Sequence, residues 1–391
     1  MKNRPTITVV IGHFVLDYTG QIPAMMYPIL LVSLGLTYTQ VGVAAGIYMA
    51  GSGIAQPILG YVGDRIGPRY LLPLGLVIHG VAIGLLARVE NFSSLLVFLA
   101  LAAIGSGMFH PLAAGIVSRS AQRRKGMAMG SFFIGGNAGF ALSPIVSAVA
   151  LKAMGLDYAL LLIAPAVLTA AIYLLITRGS GRTAEAQARA TAPAATVPRD
   201  PRLLRGVVAL VLVMLLRGLA FGGLIVFIPL LYRGAGLSAA SSGLALSLFL
   251  GGVALATFVG GVLADRFGKK PVVVIGLALA VPFVLLVTAQ PGSFLTLATT
   301  FAAGFAIGSS QTPTVMAVQE YMPRLISAAS GLALGFTFGS NAAGQALTGV
   351  LGDILGLGTA ISWLAVAPAL GVIAALFLPG RLRLPARRRP A

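Results

Sequence analysis

Residues 60–69 read GYVGDRIGPR, and residues 261–270 read GVLADRFGKK. The two stretches share Gly60/Gly261, Asp64/Asp265, Arg65/Arg266 and Gly67/Gly268, with a basic residue at Arg69/Lys270, all at an offset of 201 residues. Pro28 and Leu36 meet Pro229 and Leu237 at the same offset. Further along, Ala103-Ile-Gly-Ser106 pairs with Ala306-Ile-Gly-Ser309, and Gly126, Gly130 and Asn137 pair with Gly331, Gly335 and Asn341. Self-similarity over such a length marks two copies of one structural unit.

Each copy of the motif stands between long apolar runs. The 391 residues are 58% hydrophobic and only 9% charged, with a mean hydropathy of +0.96, where a soluble domain carries roughly 25% charged residues. A water-soluble globular protein is excluded. Runs of about 20 apolar residues suit transmembrane helices; an outer-membrane barrel would show alternating segments of about 10. Hydropathy and turn signals place spans near 7–32, 39–62, 70–88, 93–118, 126–151 and 157–177, then near 206–232, 238–263, 271–289, 293–320, 328–352 and 357–378. The fold class is therefore an all-α membrane protein, with twelve transmembrane helices in two pseudo-symmetric six-helix halves. The divisions are an N-terminal half at 1–177, a linker at 178–205 rich in Ala, Thr, Pro and Arg, a C-terminal half at 206–380 and a basic tail at 381–391. The first apolar run is too long for a signal peptide, contains Asp17 and lacks a small-residue cleavage site, so it reads as a retained span.

The formal net charge is +18. With both termini in the cytoplasm, 23 of the 27 basic residues fall inside, Arg88, Lys152 and Arg233 fall outside, and Arg217 falls within a span. That bias fixes the expected orientation of a multi-pass protein in the cell's inner (cytoplasmic) membrane. The basic residues are scattered over short loops without an aromatic platform, which argues against a nucleic-acid partner. With no cysteine and three histidines, His13, His79 and His110, no zinc spacing pattern is present. The glycine motif lacks the Gly-Lys-Ser/Thr of a phosphate loop, so no nucleotide-driven pump is indicated. No cofactor is expected.

In both motif copies the glycines allow a tight reversal. Asp64 and Asp265 can cap or ion-pair with a neighbouring helix end, while Arg65, Arg69, Arg266 and Lys270 hold the turn on the cytoplasmic side. A contact made there in one conformation and broken in another would bias a switch. A turn merely rich in capping residues explains one copy equally well; duplication favours the switch.

The motif resembles the loop signature of the major facilitator superfamily over the whole chain. Within that superfamily the likeness is to the fosmidomycin-resistance family of efflux proteins. It is carried by His13-x-x-x-Asp17, Tyr27-Pro28, Gln56-Pro57-x-x-Gly60-Tyr61, Gly105-Ser106-Gly107-x-Phe109-His110-Pro111, Gly135-Gly136-Asn137-x-Gly139, Gln319-Glu320-x-x-Pro323 and Ser330-Gly331-Leu332-x-x-Gly335-Phe336-x-Phe338-Gly339. Gln311-Thr-Pro313, Asn341 and Gln345 depart from that family's pattern. The resemblance implies an alternating-access exporter, not an enzyme, that moves a small drug-like or phosphonate compound in exchange for protons. A proton symporter importing a small metabolite, or a receptor without flux, would share the same architecture. A monomer is the expected unit.

Ionisable groups inside the bilayer cost about 2.5–3.5 kcal/mol at a helix centre unless they face a cavity or a partner. Asp17 lies roughly 15 Å into the first span. His13 and Gln21 stand one turn to either side and complete a polar stripe. A neutral acid is cheaper to bury than its anion, so Asp17 is expected to take up and release protons with cavity hydration; a structural His13–Asp17 pair is the alternative. Arg217 sits at about the depth of Asp17 and needs an anion. Either Asp17 supplies it in a standing bridge between the halves, or an anionic substrate does. His110, between Gly107 and Pro111, is a candidate for proton transfer or substrate contact. Asn137, Gln311, Asn341 and Gln345 are candidate substrate contacts, with interhelical hydrogen bonding as the alternative. Glu320 is a candidate proton group, although an i,i+4 pair with Arg324 explains it as well.

Overall fold

A computed structural model describes residues 4–120, 125–178, 201–321 and 326–378. Among the described residues there are fifteen α-helices and no strand. The first half contains α1 (Arg4–Ser33), α2 (Tyr38–Ile66), α3 (Pro68–Leu85), α4 (Phe92–Ser120), α5 (Lys125–Met154), α6 (Tyr158–Leu161) and α7 (Ile163–Ile176). The second contains α8 (Pro201–Gly234), α9 (Ala239–Phe267), α10 (Lys269–Leu286), α11 (Phe294–Ser309), α12 (Gln311–Tyr321), α13 (Ile326–Leu355), α14 (Leu357–Trp363) and α15 (Val366–Leu376). Three expected spans are each carried by two consecutive helices: α6 with α7, α11 with α12, and α14 with α15. Eight stretches are long and apolar enough to cross a bilayer, and one of them, Gly130–Ile176, runs through α5, α6 and α7. The arrangement accommodates twelve spans. Of the expected linker, residues 179–200 lie outside the described residues, as does the tail 381–391, and α8 already begins at Pro201.

The duplication reaches the atomic level. Thr37 and Ser238, at the 201-residue offset, are the N-caps of α2 and α9 and accept from the backbone N–H of Gln40 and Ser241. Thr37 and Gln40 close a reciprocal capping box. Both helices end in a glycine with positive φ, 96° at Gly67 and 90° at Gly268, a conformation that a side chain would strain. The first glycine of each motif serves packing: Gly60 faces Pro111 of α4, and Gly261 faces Thr312 of α12.

The core shows how the halves meet. One buried cluster, which includes Ile22, Met26, Leu224, Phe227 and Phe249, is shared by both halves at the end remote from the α2–α3 and α9–α10 turns. Toward the turns it splits into two, with Leu16, Leu76 and Phe109 in the first half and Val213, Met214 and Leu277 in the second. Among the described residues the buried apolar core is continuous across the seam at the far end and divided between the halves at the turn end. The outer surface is apolar, with Val32, Phe258 and Phe294 exposed by 78%, 74% and 87%, as a lipid-facing surface requires.

Small residues make the closed seam possible by letting helices approach. A Cβ at Gly46 would lie 3.3 Å from the Ala342 carbonyl oxygen, and one at Gly53 would lie 2.7 Å from Phe338 Cβ. Across the other side of the seam, Gly243 of α9 lies against Pro144 and Ala148 of α5. There the Ile145 N–H donates to Ser247 Oγ at 3.1 Å, just after Pro144 interrupts the backbone ladder of α5. At the far rim, Asp353 on α13 accepts the N–H groups of Tyr38 and Thr39 on α2.

Candidate functional site

Three side chains meet within the first half. His13 Nε2 lies 3.2 Å from Asp17 Oδ2, and His110 Nε2 lies 3.3 Å from Asp17 Oδ1. His13 and Asp17 are one helical turn apart on α1, while His110 comes from α4 near Pro111. Helix α5 closes the group: Phe132 stacks on the His13 ring with centroids 3.9 Å apart, and Gly136 leaves room where a Cβ would lie 2.5 Å from Asp17 Oδ2.

The second nitrogen of each imidazole is fixed. His13 Nδ1 is 2.8 Å from the Phe132 carbonyl oxygen, and His110 Nδ1 is 3.0 Å from that of Ser106. A carbonyl only accepts, so each Nδ1 carries the hydrogen. Ser106 Oγ is also close to His110 Nδ1, at 3.3 Å, and is bonded to Ser52 Oγ at 3.0 Å. With both Nδ1 positions so used, each Nε2 faces a carboxylate oxygen. Lone pair opposes lone pair there unless a proton lies between them. The cluster therefore has two places for exchangeable protons, one on each side of Asp17.

Accessibility favours exchange. The Asp17 and His110 side chains are 20% and 23% exposed, whereas His13 is 5% exposed. The His13–Asp17 pair that the sequence offers as an alternative is formed, and His110 from α4 adds a second imidazole on the other carboxylate oxygen. The ligand atoms of His13, Asp17 and His110 fall within 4.8 Å of one another, a convergence invisible to linear metal-spacing patterns. Gln21 is buried one turn beyond Asp17, and Asn137 is half-buried one residue past Gly136.

Arg217 occupies the other half. It is 2% exposed on α8, its Nη2 donates weakly to Thr337 Oγ1 of α13 at 3.4 Å, and its Nε has no partner. A standing Asp17–Arg217 bridge is not formed: Asp17 pairs with histidines of its own half, and no ion pair to Arg217 exists among the described residues. A buried guanidinium without an anion is costly. Asn341 lies beside it, and with its amide nitrogen turned inward it donates to the carbonyls of Gly218 and Thr337 at 3.2 and 3.1 Å, joining α8 to α13. Gln345 is buried with Oε1 unpaired, and Gln311 is half-buried at the start of α12.

Glu320 pairs with Lys269 of the repeated turn at 2.6 Å; Arg324, the partner that the sequence offers, lies outside the described residues. Lys270 donates to the Leu376 carbonyl at 2.6 Å and closes the end of α15. Asp265 is exposed and makes no ion pair among the described residues, and the side chain of Asp64 lies outside them. Arg65, Arg69 and Arg266 sit over Tyr61, Tyr70 and Phe267 at 4.4, 5.2 and 5.3 Å.

Comparison with known proteins agrees with this architecture. The chain is 29% identical over 387 residues to the major-facilitator-type transporter YfnC of Bacillus subtilis, covering 97% of this chain and 94% of that protein. It is 28% identical over 380 residues to the fosmidomycin resistance protein of Escherichia coli, covering 94% and 91%. A solved bacterial homologue of the human lysosomal transporter Spinster, inward-facing and occupied, superposes with a TM-score of 0.78 at 18% identity, covering 95% of each chain. The family model described as Major Facilitator Superfamily matches residues 9–240 and 210–391. The chain thus belongs to the major facilitator superfamily, a class of multi-pass membrane transporters and not of enzymes.

Proposed function

We propose that the chain is a proton-coupled antiporter that exports a small amphipathic or anionic, phosphonate-like compound by alternating access. In this reading the parted turn end opens to the cytoplasm, where the positive-inside bias puts both termini. The observation that carries the reading is the His13–Asp17–His110 cluster, whose two half-buried members can trade protons with a wetted vestibule.

Arg217, buried without an anion, is the natural seat for an anionic group of the cargo. A cargo hydroxyl that donates to Asp17 Oδ1 takes the place of the proton on His110 Nε2, so cargo and proton exclude one another. That exclusion is what exchange requires. Gln21, Asn137, Gln311, Asn341 and Gln345 offer further polar contacts. Glu320, held by Lys269, serves to position the α9–α10 turn more than to carry protons. The two turns, with Asp265 unpaired in this state, act as latches that engage when the turn end closes. Export and an antimicrobial phosphonate as cargo rest on the fosmidomycin resistance protein, and amphipathic cargo on a 30% match over 120 residues to the quinolone resistance protein NorA of Staphylococcus aureus.

Symport is a second reading, favoured by one observation. An anion at Arg217 and a protonated, cationic cluster attract each other and would load together. Reconstituted vesicles and labelled fosmidomycin separate the two. Antiport predicts accumulation when the lumen is acid relative to the bath, and symport predicts accumulation when the bath is the acid side. No movement under either gradient would refute fosmidomycin-like cargo.

A further inference from the structure

The far end carries three basic residues, an unusual placement on the side opposite the basic loops. Arg88 is matched by Asp157 at 2.6 Å. The other two, Lys152 near the end of α5 and Arg233 near the end of α8, come from different halves and line one crevice of about 300 Å³. Neither has an acidic partner among the described residues. Arg233 Nη1 donates to the Leu237 carbonyl at 2.7 Å, and among the described residues the rest of its fork and the Lys152 ammonium have no hydrogen-bond partner. The remaining wall is largely apolar, with Met25 and Ile29 of α1 and Leu151 of α5, and Ser238 adds a hydroxyl at the rim.

We infer that this crevice holds the phosphate of an anionic phospholipid from the leaflet at the far end. The two cations supply the charge and the Ser238 hydroxyl a hydrogen bond, while the glycerol backbone lies on Met25 and Leu151. The volume is too small for acyl chains, which run from the crevice toward the bilayer centre along the apolar outer surface. Basic pockets between transmembrane helices bind anionic headgroups on this principle. A phosphate bridging Lys152 and Arg233 also ties the two halves together where the seam is closed, so the lipid favours this conformation over the far-open one. The inference does not depend on proton coupling or on the cargo.

The test uses the full chain purified in detergent and titrated with short-chain phosphatidylglycerol, read by native mass spectrometry and by the melting temperature. Lys152→Glu is the variant of choice because Lys152 is exposed and makes no hydrogen bond or ion pair among the described residues whose loss could unfold the chain. We expect it to weaken retention of one tightly held phosphatidylglycerol at least tenfold and to abolish the lipid-dependent rise in melting temperature, and Lys152→Arg to keep both. Phosphatidylcholine should give no rise. Equal retention in wild type and Lys152→Glu would overturn the inference. So would an equal rise with glycerol 3-phosphate alone, which would assign the crevice to a dissolved anion.

Discussion

The Asp353 carboxylate, in the second half, accepts the backbone N–H of Thr39, in the first half, at 2.8 Å, and its other oxygen accepts from Tyr38 at 2.9 Å. A carboxylate at a helix N-terminus meets both free N–H groups and the positive end of the helix dipole. Because Asp353 and α2 belong to different halves, this cap exists only while the far end is closed. Asp353→Asn should cost about 0.5 kcal/mol, reduced from a buried cap by exposure. Spin labels at Glu90 and Thr359 would then show a roughly twofold larger far-open population; an unchanged distance distribution would refute the latch.

The same contact has a pH signature. Burial pushes the Asp353 carboxyl up, but hydrogen bonds from Thr39 and Tyr38 outweigh it and hold the carboxyl below its ordinary range. A depressed folded value means the latch is complete above the ordinary aspartate value of about 3.9 and is lost as pH falls through the lower folded value. The labelled wild type should keep the same far-end distances from pH 8 to pH 5. Opening of the far end within that window, retained in Asp353→Asn, would show that other groups govern it.

Arg217 sets stability against function. Replacing a buried unpaired charge by an apolar side chain of similar length is neutral or stabilising by about 1–4 kcal/mol. Arg217→Met should therefore raise the melting temperature of the cargo-free protein while weakening fosmidomycin binding at least tenfold. A destabilised variant would mean that the guanidinium has an anion in the resting protein.

Gly136 is the floor of the His13–Asp17–His110 cluster. A methyl group there would lie 2.5 Å from Asp17 Oδ2, and overpacking of this kind costs about 1–3 kcal/mol. Gly136→Ala should lower the melting temperature and flatten the pH dependence of transport. An unaltered pH profile would place the cluster outside the coupling step.

The Lys269–Glu320 pair is partly exposed, 24% and 42%, so it should contribute less than about 1 kcal/mol. Glu320→Gln is expected to change stability within that limit and leave proton coupling intact. Loss of coupling in that variant alone would return Glu320 to the proton path.

The duplicated turn motif made the fold legible, because each copy is a local pattern of glycines and charged residues and the two recur at an offset of 201 residues. The stripe from His13 to Asp17 was legible for the same reason, being one helical turn. Its closure by His110 was not, since depth in helix 4 says nothing about rotation of its face, and Gly136 gave no sign beyond a glycine among many. Arg217 and Asp17 stand at similar depths in sequence, yet depth alone cannot tell a pair across the seam from two separate sites. Lys269 escaped notice as the partner of Glu320 because the pair joins residues 51 apart, and Asp353 did so because a cap between halves has no local signature.

In the proposed cycle, protons held beside Asp17 drive transport. Vesicles reconstituted with wild type and with Asp17→Asn can be compared in two assays: exchange of labelled for unlabelled fosmidomycin without a gradient, and net accumulation under an imposed pH gradient. Asp17→Asn is expected to keep exchange within a few-fold of wild type and to lose gradient-driven accumulation. Equal accumulation by both proteins would contradict it.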